Sequence, residues 1–283
     1  MTINDNQIIF GHSPDVDDAF MFFAMEKKYV EISGYSVAHH MEDIESLNVL
    51  AESGKLPVTA ISAARYPDVA AHYRIMSCGS SIGRNYGPMA VSADPMTESD
   101  LEGKRVAVPG IFTTSWLLFQ IFGPKKCEPV FVDFDDVGPA VEEGRADVGI
   151  LLHEGQILYE KLGFHGIMSL GEKWHEATGL PIPLGVDLVS RQIGDELAQE
   201  IADASLASIN YARDHEDDAL EYALGFGRGI DPEDGKKFVR MYVNEDTVDM
   251  GEEGRQALEK LFSMAVERGV LGELPELDIV QAK

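Results

Sequence analysis

The sequence predicts a two-lobed α/β fold on three observations. Short apolar runs alternate with amphipathic stretches over the first two thirds, the pattern of a mostly parallel sheet rather than a sandwich or a bundle. Two helix-to-strand junctions echo one another, and beyond Arg191 the chain carries only weak strand signals and long helical runs. At 283 residues, with 45% hydrophobic residues, the chain is long enough for two domains or one large α/β unit, and rich enough for a core.

Taken in order, strands are expected over residues 7–11, 35–39, 58–62, 74–77, 89–92, 105–109, 129–133, 148–152 and 185–189, the apolar runs bounded by turn residues. Residues 17–27 place Phe20, Phe23, Ala24 and Lys27 at helical spacing. Residues 43–52 do the same with Ile44, Leu47 and Leu50, and Gly54 stands where that helix should end. Further helices are expected over 113–122, 137–143 and 159–162, then over 195–213, 216–224, 232–243 and 254–268. The echoing junctions are Glu52-Ser53-Gly54-Lys55 before one buried strand and Glu142-Glu143-Gly144-Arg145 before another. Glycine accepts the positive φ of a helix end, and the basic residue complements the helix carboxyl terminus. Any βαβ protein has such junctions. What favours two lobes is that the strands lead to Ser62 and His153, at the carboxyl ends where open α/β sheets bind ligands. The economical division is lobe one from residues 1–87 and 189–283, and lobe two from 88–188. The crossings then fall near residues 87–89 and 185–188, where glycines flank the strands.

With 23 basic against 49 acidic side chains, the net charge is −26. Nucleic acid or an anionic membrane surface would be repelled. The charge serves solubility, or marks an acid-surface or halophilic adaptation. Cys78 and Cys127 are too few for a disulfide framework, lack CxxC spacing and are expected as buried thiols. The first seven residues lack the basic and apolar regions of a secretory signal, and no segment reaches the ~18 apolar residues of a membrane span. The expected location is the cytoplasm.

Several segments could carry chemistry. His153 follows an apolar strand and precedes Glu154-Gly155, where an imidazole on a rigid strand end could act as a general base or simply fill a loop. The His-Glu pair is not HExxH, because position 157 is Ile157; no metal is expected. His39-His40, His165 and His175 read as surface or packing residues. Thr113-Thr114-Ser115 open a helix, a place receptive to a carboxylate or phosphate, although plain capping by Thr113 or Thr114 accounts for them equally well. In His12-Ser13-Pro14-Asp15-Val16-Asp17-Asp18, the aspartates sit too far beyond the strand end for a magnesium phosphotransferase, and Asp17 or Asp18 is expected to cap the helix. Gly79, Gly83 and Gly87 fit no nucleotide-binding pattern and read as a flexible crossing.

Together these segments resemble the 1,4-dihydroxy-6-naphthoate synthase family of the futalosine route to menaquinone. The resemblance rests on Ser13-Pro14 with Asp18 and Phe20, and on Gly79 through Ile82-Gly83 to Tyr86-Gly87-Pro88. It continues with Pro109-Gly110 and Thr113-Thr114, then Leu152-His153-Glu154-Gly155-Gln156. It closes with Leu170-Gly171-Glu172 through Trp174 to Thr178-Gly179-Leu180-Pro181, and Pro183-Leu184-Gly185. It spans roughly residues 8–190.

The resemblance implies a two-lobed type II periplasmic-binding-protein-like fold, with a small anionic substrate held in a cleft between the lobes. It implies a lyase that converts cyclic dehypoxanthinyl futalosine to 1,4-dihydroxy-6-naphthoate, with His153 as base and Ser62, Thr113 and Thr114 as substrate contacts. Carbon–carbon cleavage and aromatisation begun by proton removal need no metal or redox cofactor. One departure stands out: where the family commonly reads Ser-Pro-Cys-Pro-Asn-Asp-Thr-Phe, this chain reads Ser13-Pro14-Asp15-Val16-Asp17-Asp18-Ala19-Phe20. An amide and a hydroxyl are replaced there, and two carboxylates are gained. A non-catalytic solute-binding protein of the same fold is the alternative reading.

Overall fold

The computed structural model describes residues 6–84, 86–153, 155–226 and 231–283; Glu154 and residues 1–5, which the sequence reading also used, lie outside them. The chain opens with β1 (Gln7–His12), α1 (Val16–Glu26), β2 (Ser36–Met41), α2 (Ile44–Ala51), β3 (Val58–Ser62), α3 (Tyr66–Val69), β4 (Tyr73–Met76) and β5 (Ser81–Gly83). The middle segment supplies β6 (Met89–Ser92), β7 (Arg105–Val108), α4 (Thr114–Phe122), β8 (Glu128–Phe131), α5 (Val137–Glu142), β9 (Val148–Leu151), α6 (Gly155–Leu158), β10 (His165–Ser169) and α7 (Leu170–Thr178). β11 (Ile182–Ser190) leads to α8 (Asp195–Asp214), α9 (Glu216–Leu224), α10 (Pro232–Tyr242), α11 (Glu245–Val248), α12 (Gly251–Arg268) and β12 (Ile279–Val280).

The strands form two sheets. One has the order β12-β4-β11-β3-β1-β2, with β5 also on β11; the other has the order β10-β6-β9-β7-β8. The expectation of mostly parallel pairing needs correction. β1 runs parallel to β2 and β3, and β7 to β8 and β9. β11, however, is antiparallel to β3, β4 and β5, and β6 is antiparallel to β9 and β10. Both are the first strands after the chain passes from one sheet to the other. No crossover helix of a βαβ unit dictates their direction.

The second crossing also lies earlier than residues 185–188. β11 pairs with β5 of the first sheet from Ile182 onward, so the chain has returned by then. Gly185 marks an irregularity in that pairing and a close approach, since a Cβ there would stand 3.3 Å from the Ile61 carbonyl. Gly87 likewise serves contact rather than flexibility, because its Cβ would meet Gly171 Cα at 2.9 Å. The expected helix over 159–162 is instead a turn that follows α6, closed by Leu162 N–H on the Leu158 carbonyl and Phe164 N–H on the Tyr159 carbonyl, both at 2.9 Å.

Apolar burial explains the tail. α1 is buried from Val16 to Met25, on all its faces, because α8, α9 and α10 pack over the side left open by the first sheet. α12 packs its Leu258, Leu261 and Phe262 into a core shared with Trp116 and Phe119 of α4. Arg268, at the end of α12, donates to the carbonyls of Gln120 (2.8 Å) and Gly123 (2.7 Å). The closing helices thus bind first-sheet and second-sheet elements together. Cys78 is buried, whereas Cys127 is only half-buried. No helix among the described residues is long and apolar enough to cross a membrane.

Candidate functional site

Elements of both sheets converge on one cavity. Ser62 at the end of β3, Thr113 and Thr114 at the start of α4, and His153 beyond β9 all line it, with Asp17 and Asp18 from α1, Ser80, and Asp187 from β11. The four residues expected from the sequence are therefore brought together, two sheets contributing to one space.

His153 has φ +48, a left-handed conformation uncommon outside glycine. Its Nε2 lies 3.7 Å from Asp15 Oδ2. The ring packs edge-on to Phe134 at 5.1 Å between centroids and lies 6.2 Å from Tyr242. Aromatic walls hold the imidazole, and a carboxylate stands beside it to stabilise any positive charge it gains.

Thr113 is the N-cap of α4: its Oγ1 accepts from Trp116 N–H (3.3 Å) and donates to the Gly110 carbonyl (2.9 Å). Thr114 Oγ1 donates to the Leu184 carbonyl (2.7 Å) and accepts from Ala64 N–H (3.1 Å), joining second-sheet α4 to first-sheet elements. Both hydroxyl hydrogens are thus spent on the protein itself, which weights the capping account of this turn. Ser62 is held by Asn48, whose Oδ1 accepts from Ser62 N–H (2.8 Å) and whose Nδ2 donates to Ser62 Oγ (3.1 Å). Two more ties close this edge: Phe112 N–H donates to Glu45 (3.2 Å), and the Arg65 guanidinium lies 3.8 Å over the Phe112 ring.

The carboxylates gained in the Ser13–Phe20 motif do reach the cavity through Asp17, whereas Asp187 carries no expectation from the sequence. Asp17 does not cap α1; the N-cap is Asp15, which makes no side-chain capping bond. Asp18 accepts from Ser13 N–H at 2.7 Å. Asp17 is 7% exposed, and its Oδ1 has no hydrogen-bond partner. Burial, and then the neighbouring Asp18, push its carboxyl up to about 8. Burial raises Asp18 to about 6 and holds Asp187 well above the usual carboxylate range. A lone aspartate inside the apolar strand Gly185-Val186-Asp187-Leu188-Val189 was the signal that could have found Asp187. Donor atoms of Asp15, Asp17 and His153 lie within 4.8 Å of one another, a grouping of possible metal ligands among the described residues that the sequence reading did not expect. Beside the site, His39 is a packing residue, as one of the two expected readings has it: its Nδ1 lies 2.9 Å from His12 Nε2.

A cavity lined from two α/β sheets, closed by tail helices, belongs to a two-lobed α/β protein of the type II periplasmic-binding-protein-like fold. The periplasmic aliphatic sulphonate binding protein SsuA from Escherichia coli shares that fold: TM-score 0.65, 10% identity, 96% of this chain and 90% of that one covered. Protein AF1704 from Archaeoglobus fulgidus superposes with TM-score 0.90 at 40% identity, over 95% of this chain and all of that one. A Thermus thermophilus protein, 1,4-dihydroxy-6-naphtoate synthase, is 36% identical over 265 residues, 94% of this chain and 96% of its own. The family model for menaquinone biosynthesis (VitK2_biosynth) matches residues 8–267. This chain belongs to that family.

Proposed function

We propose that the chain is a cytoplasmic lyase that converts cyclic dehypoxanthinyl futalosine to 1,4-dihydroxy-6-naphthoate, with His153 as general base. The observation that carries the reading is the placement of His153, on a strained strand end, in the cavity to which both sheets contribute. Membership of a menaquinone-biosynthesis family supports it.

In the proposed step the neutral imidazole takes a carbon-bound proton, and the electron pair left behind expels the adjoining carbon fragment by carbon–carbon cleavage. That fragment departs with the proton handed back by the imidazolium, and the remaining ring aromatises. The Asp15 carboxylate, 3.7 Å away, stabilises the imidazolium that forms. The walls exclude water and hold the ligand against the base. Chromatographic detection of the naphthoate after incubation with cyclic dehypoxanthinyl futalosine tests the reaction. His153→Asn keeps the size and one donor, so turnover should fall about 10²–10⁴-fold with KM largely retained. Wild-type turnover should also decline on the acidic side as the imidazole takes up a proton. Undiminished turnover in the asparagine variant would refute the base assignment. Tight binding without any product would make the protein a solute binder.

A further inference from the structure

We infer that the first-sheet wall of the cavity is a subsite for a neutral, hydroxyl-bearing part of the ligand, built from Asp17, Ser80 and Asp187. The inference rests on the cavity being the substrate site of the proposed reaction.

Two independent atoms point to a ligand there. Asp17 Oδ1, on α1, and Ser80 Oγ, in the segment between β4 and β5, are both buried without a hydrogen-bond partner, and both residues line the cavity. Ser80 is 0% exposed and Asp17 7% exposed. Buried polar atoms in native proteins are nearly always paired, so two orphans on residues that line one cavity call for a polar group from outside. The backbone makes room for the third member: at Gly79, φ +83, a Cβ would stand 2.1 Å from Asp187 Oδ2.

The chemistry of the wall selects the group. Among the described residues lining the cavity there is no lysine or arginine, and three of them, Asp17, Asp18 and Asp187, are aspartates. An anion would meet carboxyls, and a cation would need them ionised in surroundings that oppose ionisation: burial raises Asp17 to about 8 and Asp187 well above its ordinary range. A hydroxyl donates and accepts at once, so it pairs with the serine and with a carboxylic acid. The titratable groups facing Asp17 are Asp15 before α1, Asp18 on α1, Asp187 on β11, His153 beyond β9, Tyr86 before β6 and Tyr242 on α10.

The test compares KM for cyclic dehypoxanthinyl futalosine across pH in wild type, Asp17→Asn and Ser80→Ala. Asparagine keeps a neutral donor and acceptor at every pH. Wild-type KM should rise about 10-fold between pH 7 and 9 as Asp17 loses its proton, while the asparagine variant stays flat and within about 3-fold of wild type at pH 7. Ser80→Ala should raise KM about 5–10-fold with kcat little changed. The same rise in both proteins, or an unchanged KM in the alanine variant, would overturn the subsite.

A second arm needs no turnover: calorimetric binding of cis-1,2-cyclopentanediol, cyclopentylammonium and cyclopentanecarboxylate to the whole protein. The diol should bind, and more weakly to Ser80→Ala. Preference for either charged probe, or no diol binding, counts against the proposal. Diol binding that depends on Ser80 in a protein that forms no naphthoate would leave the subsite standing and remove the proposed reaction.

Discussion

Gly79→Ala should damage the protein in two separable ways. The backbone at Gly79 has φ +83, and a side chain in the left-handed region costs about 1–2 kcal/mol. The added Cβ would also lie 2.1 Å from Asp187 Oδ2, 2.8 Å from its Cγ and 3.1 Å from its Cβ. Turning the carboxylate away relieves the first two contacts but not the third, because Asp187 Cβ is fixed by strand β11, where Asp187 is in register with Ala60. Gly79 itself is anchored, its N–H donating to the Thr247 carbonyl at 2.8 Å. Overpacking of this kind costs about 1–3 kcal/mol, so the whole loss should be about 2–5 kcal/mol. Urea unfolding of Gly79→Ala, Asp187→Ala and the double variant separates the parts. In the Asp187→Ala background the φ strain and the 3.1 Å contact with the retained Cβ remain, so the coupling energy is the carboxylate's own part of the about 1–3 kcal/mol of overpacking. A Gly79→Ala protein within about 0.5 kcal/mol of wild type, or a coupling of zero, would refute the reasoning.

Thr113→Ala with Thr114→Ala should lower stability by about 1–3 kcal/mol through loss of the cap and of the bond to Leu184, with ligand affinity unchanged in a calorimetric titration; a specific loss of affinity at full stability would restore the anion-donor role. Burial holds both His12 and His39 down at about 4. Their folded values lie below the unfolded ~6.5, so this stability is present above pH 6.5 and is lost as pH falls toward 4, by about 2 kcal/mol at pH 5 for the first histidine to charge. His39→Gln should therefore lose less stability than wild type between pH 7 and 5 in chemical denaturation, and parallel curves would exclude the pair as the cause.

Strand and helix periodicity was legible because most elements are half-buried. The strands at 58–62 and 89–92 were placed to the residue, each a short apolar run between turn residues. What escaped detection has a physical pattern. β5 and β12 are short, and β5, β10 and β12 all lean on neighbours distant in sequence, so tertiary pairing rather than local preference makes them strands. α7 hides behind Gly171, a poor helix former kept there because a Cβ would meet the Tyr86 carbonyl carbon at 2.4 Å. At the site, His153 was visible as a polar residue at an apolar strand end. Asp17 was misread as a cap because a carboxylate in the first turn of a helix usually serves the helix dipole, and only the fold shows that this one faces inward.

The replacement of an amide by Asp17 bears directly on how a ligand with an anionic end would lie. The carboxyls stand on first-sheet elements, whereas the start of α4, with its positive helix end, belongs to the second. A carboxylate set against Asp17, Asp18 and Asp187 would force still more protonation of groups already held above their usual range. The same carboxylate set against the first turn of α4 meets backbone dipoles of the favourable sign. The two walls therefore admit one orientation of a molecule that is anionic at one end and hydroxylated at the other. If the proposed reaction holds, that orientation would decide which carbon faces His153, and the aspartates would act on the chemistry by excluding the reversed pose.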